Sequence, residues 1–144
     1  MSDELRGLAL KLLARREHSR AELRQRLGTH GCAEDVDATL DQMEQCGLLS
    51  DARFAEAYIA SRRNRLGTFR LRRELRDRGV ADALIEQVLG ETCNDELSRA
   101  REVWRRKFGV PPADVRDHAR QARFLQSRGF AGDVLKQILR EIEE

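Results

Sequence analysis

The chain has 144 residues, about the length of one domain; 36% of them are charged, 40% are hydrophobic and only 5% are aromatic. Hydrophobic residues at this level, recurring with a helical period, exclude a disordered chain, and the shortage of aromatic residues argues against a large enzyme core. No stretch approaches the roughly 20 apolar residues of a membrane span, no signal peptide is visible, and the three cysteines are widely spaced. We therefore expect a soluble cytoplasmic protein that has no membrane partner, and we take it to be a monomer.

The net charge of +2 conceals segments of opposite sign. Residues 31–60 carry a net charge of −6, residues 61–80 carry +6 and residues 81–100 carry −4. Such segregation predicts faces of opposite charge, which can choose a partner, contact nucleic acid or pair with each other.

Three helices are predicted at the start of the chain. Ser19-Arg20-Ala21-Glu22 has the spacing of a capping box, in which the Ser19 hydroxyl and the Glu22 carboxylate each accept a backbone N–H, so the second helix begins there. Gly31 is expected to end this helix and Gly47 to end the third. Apolar residues recur at helical spacing along all three: Leu5, Leu8, Ala9, Leu12, Leu13, Leu23, Leu27, Val36, Leu40 and Met43.

The next three predicted helices form the middle of the chain. Ser50 can cap the first of them, and Gly67 and Gly79 bracket the second. In this second helix Leu71 and Leu75 are four residues apart and share an inward face, so the arginines fall on the other side. The flanking helices are expected to bury Phe54, Ala57, Tyr58, Leu84, Ile85, Val88 and Leu89.

The last three predicted helices begin after Asn94, which can cap the first of them. Gly109-Val110-Pro111-Pro112 interrupts the pattern, Pro112 suits the start of the next helix, and Gly129 is expected to end it. No segment has the alternation of a convincing strand. The inward residues are predicted to be Leu97, Ala100, Trp104, Phe108, Val115, Ala119, Ala122, Leu125, Val134, Leu135, Ile138, Leu139 and Ile142.

The sequence also repeats itself. Leu75-Arg-Asp-Arg-Gly79-Val-Ala81 aligns with Leu125-Gln-Ser-Arg-Gly129-Phe-Ala131 at an offset of 50 residues, and Leu27-Gly-Thr-His-Gly31-Cys-Ala33 aligns with the first of these at an offset of 48. Tandem repeats of this length stack on their neighbours. We therefore predict an all-α protein, an elongated, curved array of three tandem three-helix repeats at residues 1–47, 48–92 and 93–144.

Three stretches of this chain match the motifs of a known family. They are Ser19-Arg20-Ala21-Glu22-Leu23-Arg24, then Gly47-Leu48-Leu49-Ser50-Asp51-Ala52-Arg53-Phe54-Ala55, and then the run from Gly67 to Gly79. In this order they resemble the RecX family, the bacterial modulators of the RecA recombinase, and the resemblance extends from Leu8 to Ile142. It implies a negative regulator that binds the groove of the RecA filament on single-stranded DNA. It also implies inhibition of ATP hydrolysis, strand exchange and coprotease activity.

The candidate partner-binding side chains are arginines. Residues 62–78 hold eight arginines and no lysine, and the planar guanidinium suits carboxylate or phosphate; the alternative is a solvated face that pairs with the acidic segment 31–60. Phe69 is expected either to pack on the start of its helix or to be exposed for a base or a partner pocket. The candidates are Arg62, Arg63, Arg65, Arg70, Arg72, Arg73 and Arg76, with Arg24, Arg120, Arg123 and Arg128 in the other repeats.

Nothing in the sequence supports catalysis, so we expect no enzyme, no catalytic residue, no cofactor and no metal. The three histidines and the cysteines lack the spacing of metal ligands, and there is no glycine-rich phosphate loop. Two other functions stay open: a direct DNA-binding protein of helix-turn-helix type, and a passive helical scaffold. Acidic third helices in the first two repeats argue against reading of a DNA groove, although weak direct contact with single- or double-stranded DNA is compatible with the arginines.

Overall fold

The computed structural model describes residues 2–143, and these residues form nine α-helices and no strand. The prediction of an all-α protein is therefore confirmed. The helices are α1 (Ser2–Arg15), α2 (Arg20–Leu27), α3 (Ala33–Gln45), α4 (Asp51–Arg62), α5 (Thr68–Asp77), α6 (Asp82–Thr92), α7 (Glu96–Lys107), α8 (Val115–Ser127) and α9 (Gly132–Glu143).

The start of α2 has the capping box that the sequence predicts. The Ser19 hydroxyl accepts the N–H of Glu22 at 3.0 Å, and a Glu22 carboxylate oxygen accepts the N–H of Ser19 at 3.1 Å. The end of this helix differs from the prediction, because the chain leaves the helix at Gly28, whose N–H still donates to a helical carbonyl, rather than at Gly31. Gly47, with a φ of 75°, follows the end of α3 as predicted.

The starts of α7 and α8 are shifted from their predicted positions. Asp95, not Asn94, precedes α7, and its carboxylate makes no cap because it pairs with two arginines instead. Helix α8 begins after Asp114 rather than at Pro112, because the Asp114 carboxylate accepts the N–H of Asp117 at 2.7 Å. A side-chain acceptor at this position satisfies a backbone N–H that the first turn leaves unpaired.

The chain divides into two compact units, and the division runs through α4, α5 and α6. The first unit holds the described residues up to Tyr58 together with Leu75–Ile85, and the second holds Ile59–Glu74 and the chain from Glu86 onward. The core of the first unit contains Leu5, Ala9, Leu12, Leu23, Leu27, Val36, Leu40, Met43 and Leu49. The core of the second unit contains Ala100, Val103, Leu125, Phe130, Leu135 and Ile138.

Most residues predicted to point inward are buried, including Leu71 and Leu75 in α5. Two are exposed. Ala57 lies on the solvent side of α4, and Val115, at the first position of α8, is 87% exposed because the helix begins later than predicted. Trp104, predicted to be a core residue, is only half-buried.

Gln121 occupies a core position that is leucine in the other two repeats. Its side chain is 1% exposed, its Oε1 accepts the indole N–H of Trp104 at 2.8 Å, and its Nε2 donates to the carbonyl of Val110 at 3.3 Å. Because a buried amide is tolerated when its polar atoms have partners, these hydrogen bonds allow a polar side chain in this core. The hydrogen bond from Trp104 Nε1 also fixes the orientation of the indole ring.

Candidate partner-binding surface

A junction between the start of a helix and a glycine loop lies within the first compact unit. The Ser19 hydroxyl donates to the carbonyl of Arg78 at 2.6 Å. Next to this hydrogen bond, Ala21 lies directly against Gly79, where an added Cβ would overlap its methyl group. Gly79 has a φ of 84°, a conformation that favours glycine, so the loop can approach α2 closely. We call this contact the first junction.

The same kind of contact recurs within the second compact unit, at equivalent repeat positions. There the N–H of Gly67 donates to the carbonyl of Arg128 at 2.7 Å, and the N–H of Phe69 donates to the carbonyl of Gly129 at 3.0 Å. A backbone N–H therefore makes the hydrogen bond that a serine hydroxyl makes in the first junction. We call this contact the second junction.

The start of α5 has no capping box, because Arg70 stands where α2 has its glutamate. Glu96, from the first turn of α7, supplies the acceptor instead. Its Oε1 accepts the N–H of Thr68 at 3.2 Å and the N–H of Ala131 at 3.3 Å. One carboxylate thus joins the start of α5 to the segment that leads into α9.

Two arginines of α5 pair with acids of α6. The Arg72 guanidinium donates to both carboxylate oxygens of Glu86 at 2.5 and 2.9 Å, and these hydrogen bonds raise the pKa of Arg72. Arg76 Nε lies 2.9 Å from Asp82 Oδ1. These two arginines therefore form ion pairs within the protein. Their acidic partners lie in the segment that follows α5 and not in residues 31–60.

The other two candidates on α5 differ from each other. Arg70 donates to Glu74 one turn later at 2.9 Å and to the carbonyl of Ser127 at 3.0 Å, so it also braces the end of α8. Arg73 is exposed, and its side chain has no hydrogen-bond or ion-pair partner among residues 2–143. Its charge is therefore available to a partner.

Phe69 is an exposed aromatic residue beside these arginines. Of the two expectations, packing on the helix start is wrong: the side chain is 57% exposed, because its backbone faces the second junction. The guanidinium carbon of Arg72 lies 5.5 Å from the centre of the Phe69 ring. An exposed large aromatic side chain flanked by cations is typical of interaction surfaces.

The arginines that precede α5 have three different environments. Arg63 donates to the carbonyl of Thr92 at 2.9 Å and to the carboxylate of Asp95 at 2.5 Å, so it ties the end of α4 to the segment before α7. Arg62 donates to the hydroxyl of the preceding serine at 2.8 Å. Arg65 is exposed and has no ion pair within the described part of the chain.

The candidate arginines of the first and third repeats lie outside α5 in the sequence, and only some of them lack an acidic partner. Arg24 donates to Asp37 at 2.7 Å, and Arg120 donates to Asp117 at 2.7 Å. Arg123 is exposed, and no side chain among residues 2–143 pairs with it. Arg73, Arg65 and Arg123 therefore have no acidic partner among residues 2–143, and neither has Arg128, which lies over the ring of Phe124.

Arg99 is a buried arginine that sequence reasoning did not single out. It is 6% exposed, its Nη1 donates to the carbonyls of Arg63 and Leu66 at 2.7 and 2.6 Å, and its Nε donates to Asp95 at 3.2 Å. Arg99 therefore fixes the loop between α4 and α5. In the sequence, its position next to Ala100 on the apolar side of α7 was the feature that indicated burial of Arg99.

Within residues 2–143, no three side chains of His, Cys, Asp or Glu are grouped closely enough to hold a metal ion. None of the helices described there has the length and apolar character needed to cross a bilayer. The three cysteines are free thiols: Cys32, Cys46 and Cys93.

Three family models match the chain in order. They are the first, second and third three-helix domains of RecX, which match residues 6–43, 50–89 and 94–139. The chain belongs to the RecX family. The family that the three sequence motifs predict is thus confirmed, and each of the three domains contains three of the helices described above.

Curated relatives agree with this assignment to the RecX family, and a solved structure has the same fold. The regulatory protein RecX of Leptothrix cholodnii is 48% identical over 137 residues, which cover 94% of this chain and 87% of the relative. That of Ralstonia nicotianae is 43% identical over 136 residues, covering 94% and 86%. The crystal structure of RecX from Lactobacillus salivarius has a TM-score of 0.84 at 17% identity over 99% of this chain and 96% of its own. At that identity it shows the fold alone.

Proposed function

We propose that this protein is a negative regulator of RecA that binds the groove of the RecA filament on single-stranded DNA. In this role it inhibits ATP hydrolysis, strand exchange and coprotease activity in the cytoplasm, without a cofactor. The observation that carries the proposal is membership of a family of regulatory proteins, with matches to all three of its domains between residues 6 and 139.

The repetition within the chain suits a partner that is itself a polymer. A filament offers the same contact at regular intervals, and a protein built of repeated units can meet it more than once. The two junctions support this reasoning, since equivalent positions of successive repeats make equivalent hydrogen bonds, from a serine hydroxyl in the first junction and from a backbone N–H in the second.

The surface of α5 is the part of the chain that we assign to this contact. Phe69 and Arg73 are exposed and next to the paired arginines, so they offer an apolar anchor and an unneutralised charge. Arg72 and Arg76 already have acidic partners in α6 and would have to exchange them to bind RecA. Arg73 and Phe69 are therefore expected to contribute more to binding than their neighbours.

The test is RecA ATPase on single-stranded DNA, titrated with this protein, with RecA from the same source. The variant is Phe69→Ala/Arg73→Ala. A matched control, Leu10→Ala/Arg6→Ala, removes one exposed apolar side chain and one exposed arginine from α1. Circular dichroism verifies that both variants keep the helix content of the parent.

The expected result is inhibition by the parent protein below one molecule per RecA, weaker inhibition by the α5 variant, and parent-like inhibition by the control. Equal inhibition by all three would keep the function and remove α5 as its site. If the parent protein leaves the ATPase unchanged, the proposal is wrong, and DNA binding in its own right becomes the leading function.

A further inference from the structure

A cationic groove lies in the second compact unit, and no residue of α5 lines it. Its volume is about 230 Å³, and it is formed by the loop between α4 and α5, the end of α7 and the second half of α8. Among the described residues, none of those lining it is acidic. The polar, charged and aromatic side chains that line the groove are Asn64, Arg65, Arg106, Lys107, Phe124 and Arg128.

Aromatic and backbone contacts, rather than carboxylates, hold the cations of this groove. The Arg128 guanidinium carbon lies 4.9 Å and the Lys107 Nζ 5.3 Å from the centre of the Phe124 ring. Arg106 donates to the carbonyl of Asn64 at 2.5 Å. A cation over a ring keeps its full charge and its edge N–H donors. The groove therefore presents cations that form no ion pair with an acid among residues 2–143.

The frame of the groove is fixed before any ligand arrives. Arg99 holds the α4–α5 loop through the carbonyls of Arg63 and Leu66, on either side of Arg65. The carbonyl of Arg128 accepts the N–H of Gly67, which ties the end of α8 to the same loop. Because these contacts limit backbone motion, binding costs less conformational entropy.

The first junction differs in charge at the equivalent positions. Glu17 stands at the repeat position of Arg65, and its carboxylate lies 3.1 Å from Arg53. Arg78, at the repeat position of Arg128, lies 4.7 Å from the ring centre of Tyr58. An arginine over an aromatic ring is thus common to both junctions. Because Arg65 stands where the first junction has Glu17, positive charge is concentrated at the second junction.

We propose that this groove binds the phosphodiester backbone of single-stranded nucleic acid. A phosphodiester backbone has one negative charge at every nucleotide, so a few nucleotides match the clustered cations, whereas a peptide would need a run of consecutive acids. A positively charged groove that can follow the backbone is also the usual design of sites that bind single strands without sequence preference. The inference goes beyond regulation of RecA and does not depend on it.

The experiment measures fluorescence anisotropy of a labelled oligothymidine with the full chain, without RecA, over a series of salt concentrations. The variant Arg65→Gln/Lys107→Gln removes two exposed cations of the groove. Its matched control, Arg6→Gln/Lys11→Gln, removes one arginine and one lysine from the exposed side of α1. Thermal unfolding of each protein verifies that the fold is retained.

The groove variant is expected to bind roughly tenfold more weakly, and the slope of log affinity against log salt should decrease by about 1.4. The control is expected to stay within about twofold of the parent, because its charges lie outside the contact. Phe124→Leu, which keeps the charges but removes the ring that positions them, should weaken binding and keep the parent slope.

Three results would overturn the proposal: no salt-dependent binding by the parent protein, equal affinities of groove variant and control, or equal salt slopes. Polyglutamate provides the competing ligand. If it binds the parent more tightly than the oligonucleotide does and loses affinity in the same groove variant, the groove takes an acidic protein segment instead. Because RecA is absent from this assay, its outcome is separate from that of the ATPase test.

Discussion

Gly67 and Gly129 lie in direct backbone contact. A Cβ built on Gly67 would lie 2.5 Å from the carbonyl carbon of Gly129, and one built on Gly129 would lie 2.5 Å from the backbone nitrogen of Arg70. Gly129 also has a φ of 89°, a conformation that other residues rarely adopt. The start of α5 and the loop between α8 and α9 therefore fit together only while both positions lack a side chain.

Gly129→Ala is expected to lower the free energy of unfolding by about 3 kcal/mol, through left-handed strain and overlap with backbone atoms. Urea denaturation followed by circular dichroism measures the loss. Gly90→Ala is the control, because Gly90 is in α6 with nothing within 4 Å of an added Cβ; it should raise stability by about 0.5–1 kcal/mol. A Gly129→Ala protein as stable as its parent would contradict the close contact.

Ser19→Ala is expected to lower the free energy of unfolding by about 2 kcal/mol, because it removes both the helix cap and the hydrogen bond to the Arg78 carbonyl. The control is Ser98→Ala, at an exposed position of α7, which should change stability by less than about 0.5 kcal/mol. Thermal and urea unfolding of both variants measure the difference. Equal stabilities would show that the hydroxyl does not hold the first junction.

Arg99→Met is expected to lower the free energy of unfolding by about 3 kcal/mol, since the carbonyls of Arg63 and Leu66 lose their charged donor. Methionine keeps the volume of the stem, so the loss reports mainly the hydrogen bonds. Arg116→Met, at an exposed position of α8, serves as the control in the same urea denaturation. The prediction fails if the two variants are equally stable.

The stability of the protein should depend on pH through His18, which is 3% exposed. Burial lowers the pKa of His18 below its ordinary 6.5, although the hydrogen bond between its Nδ1 and the Arg16 carbonyl at 3.0 Å opposes the shift. The unfolded chain therefore binds a proton at a higher pH than the folded protein does. Stability should fall as the pH drops through 6.5, by at most about 1.4 kcal/mol per pH unit, until the folded protein also takes up the proton.

The measurement is urea denaturation between pH 7.5 and pH 5 for the parent, His18→Gln and His30→Gln. His18→Gln should lose this part of the pH dependence. His30 is exposed, so its variant should keep the parent profile. A parent-like profile in His18→Gln would assign the acid sensitivity to other groups.

Features that depend on neighbours in the sequence were predictable from it. The helical period placed Leu71 and Leu75 in the core, the serine and glutamate at the start of α2 formed the predicted capping box, and three motifs in order identified the family. The first two depend on residues within about one or two helical turns, where the geometry of the helix alone decides which side chains meet. The position of the arginines opposite the leucines of α5 follows from the same rule.

Only the tertiary structure decided which arginines keep an unneutralised charge and where they lie together. Glu86 and Asp82 neutralise Arg72 and Arg76, whereas Arg65 joins a groove whose other cations come from α7 and from the residue that follows α8. Phe69 is exposed because its backbone meets a loop 60 residues away. Such outcomes depend on contacts between distant segments, and the charge and period of one segment contain no information on the partner that packing brings to it.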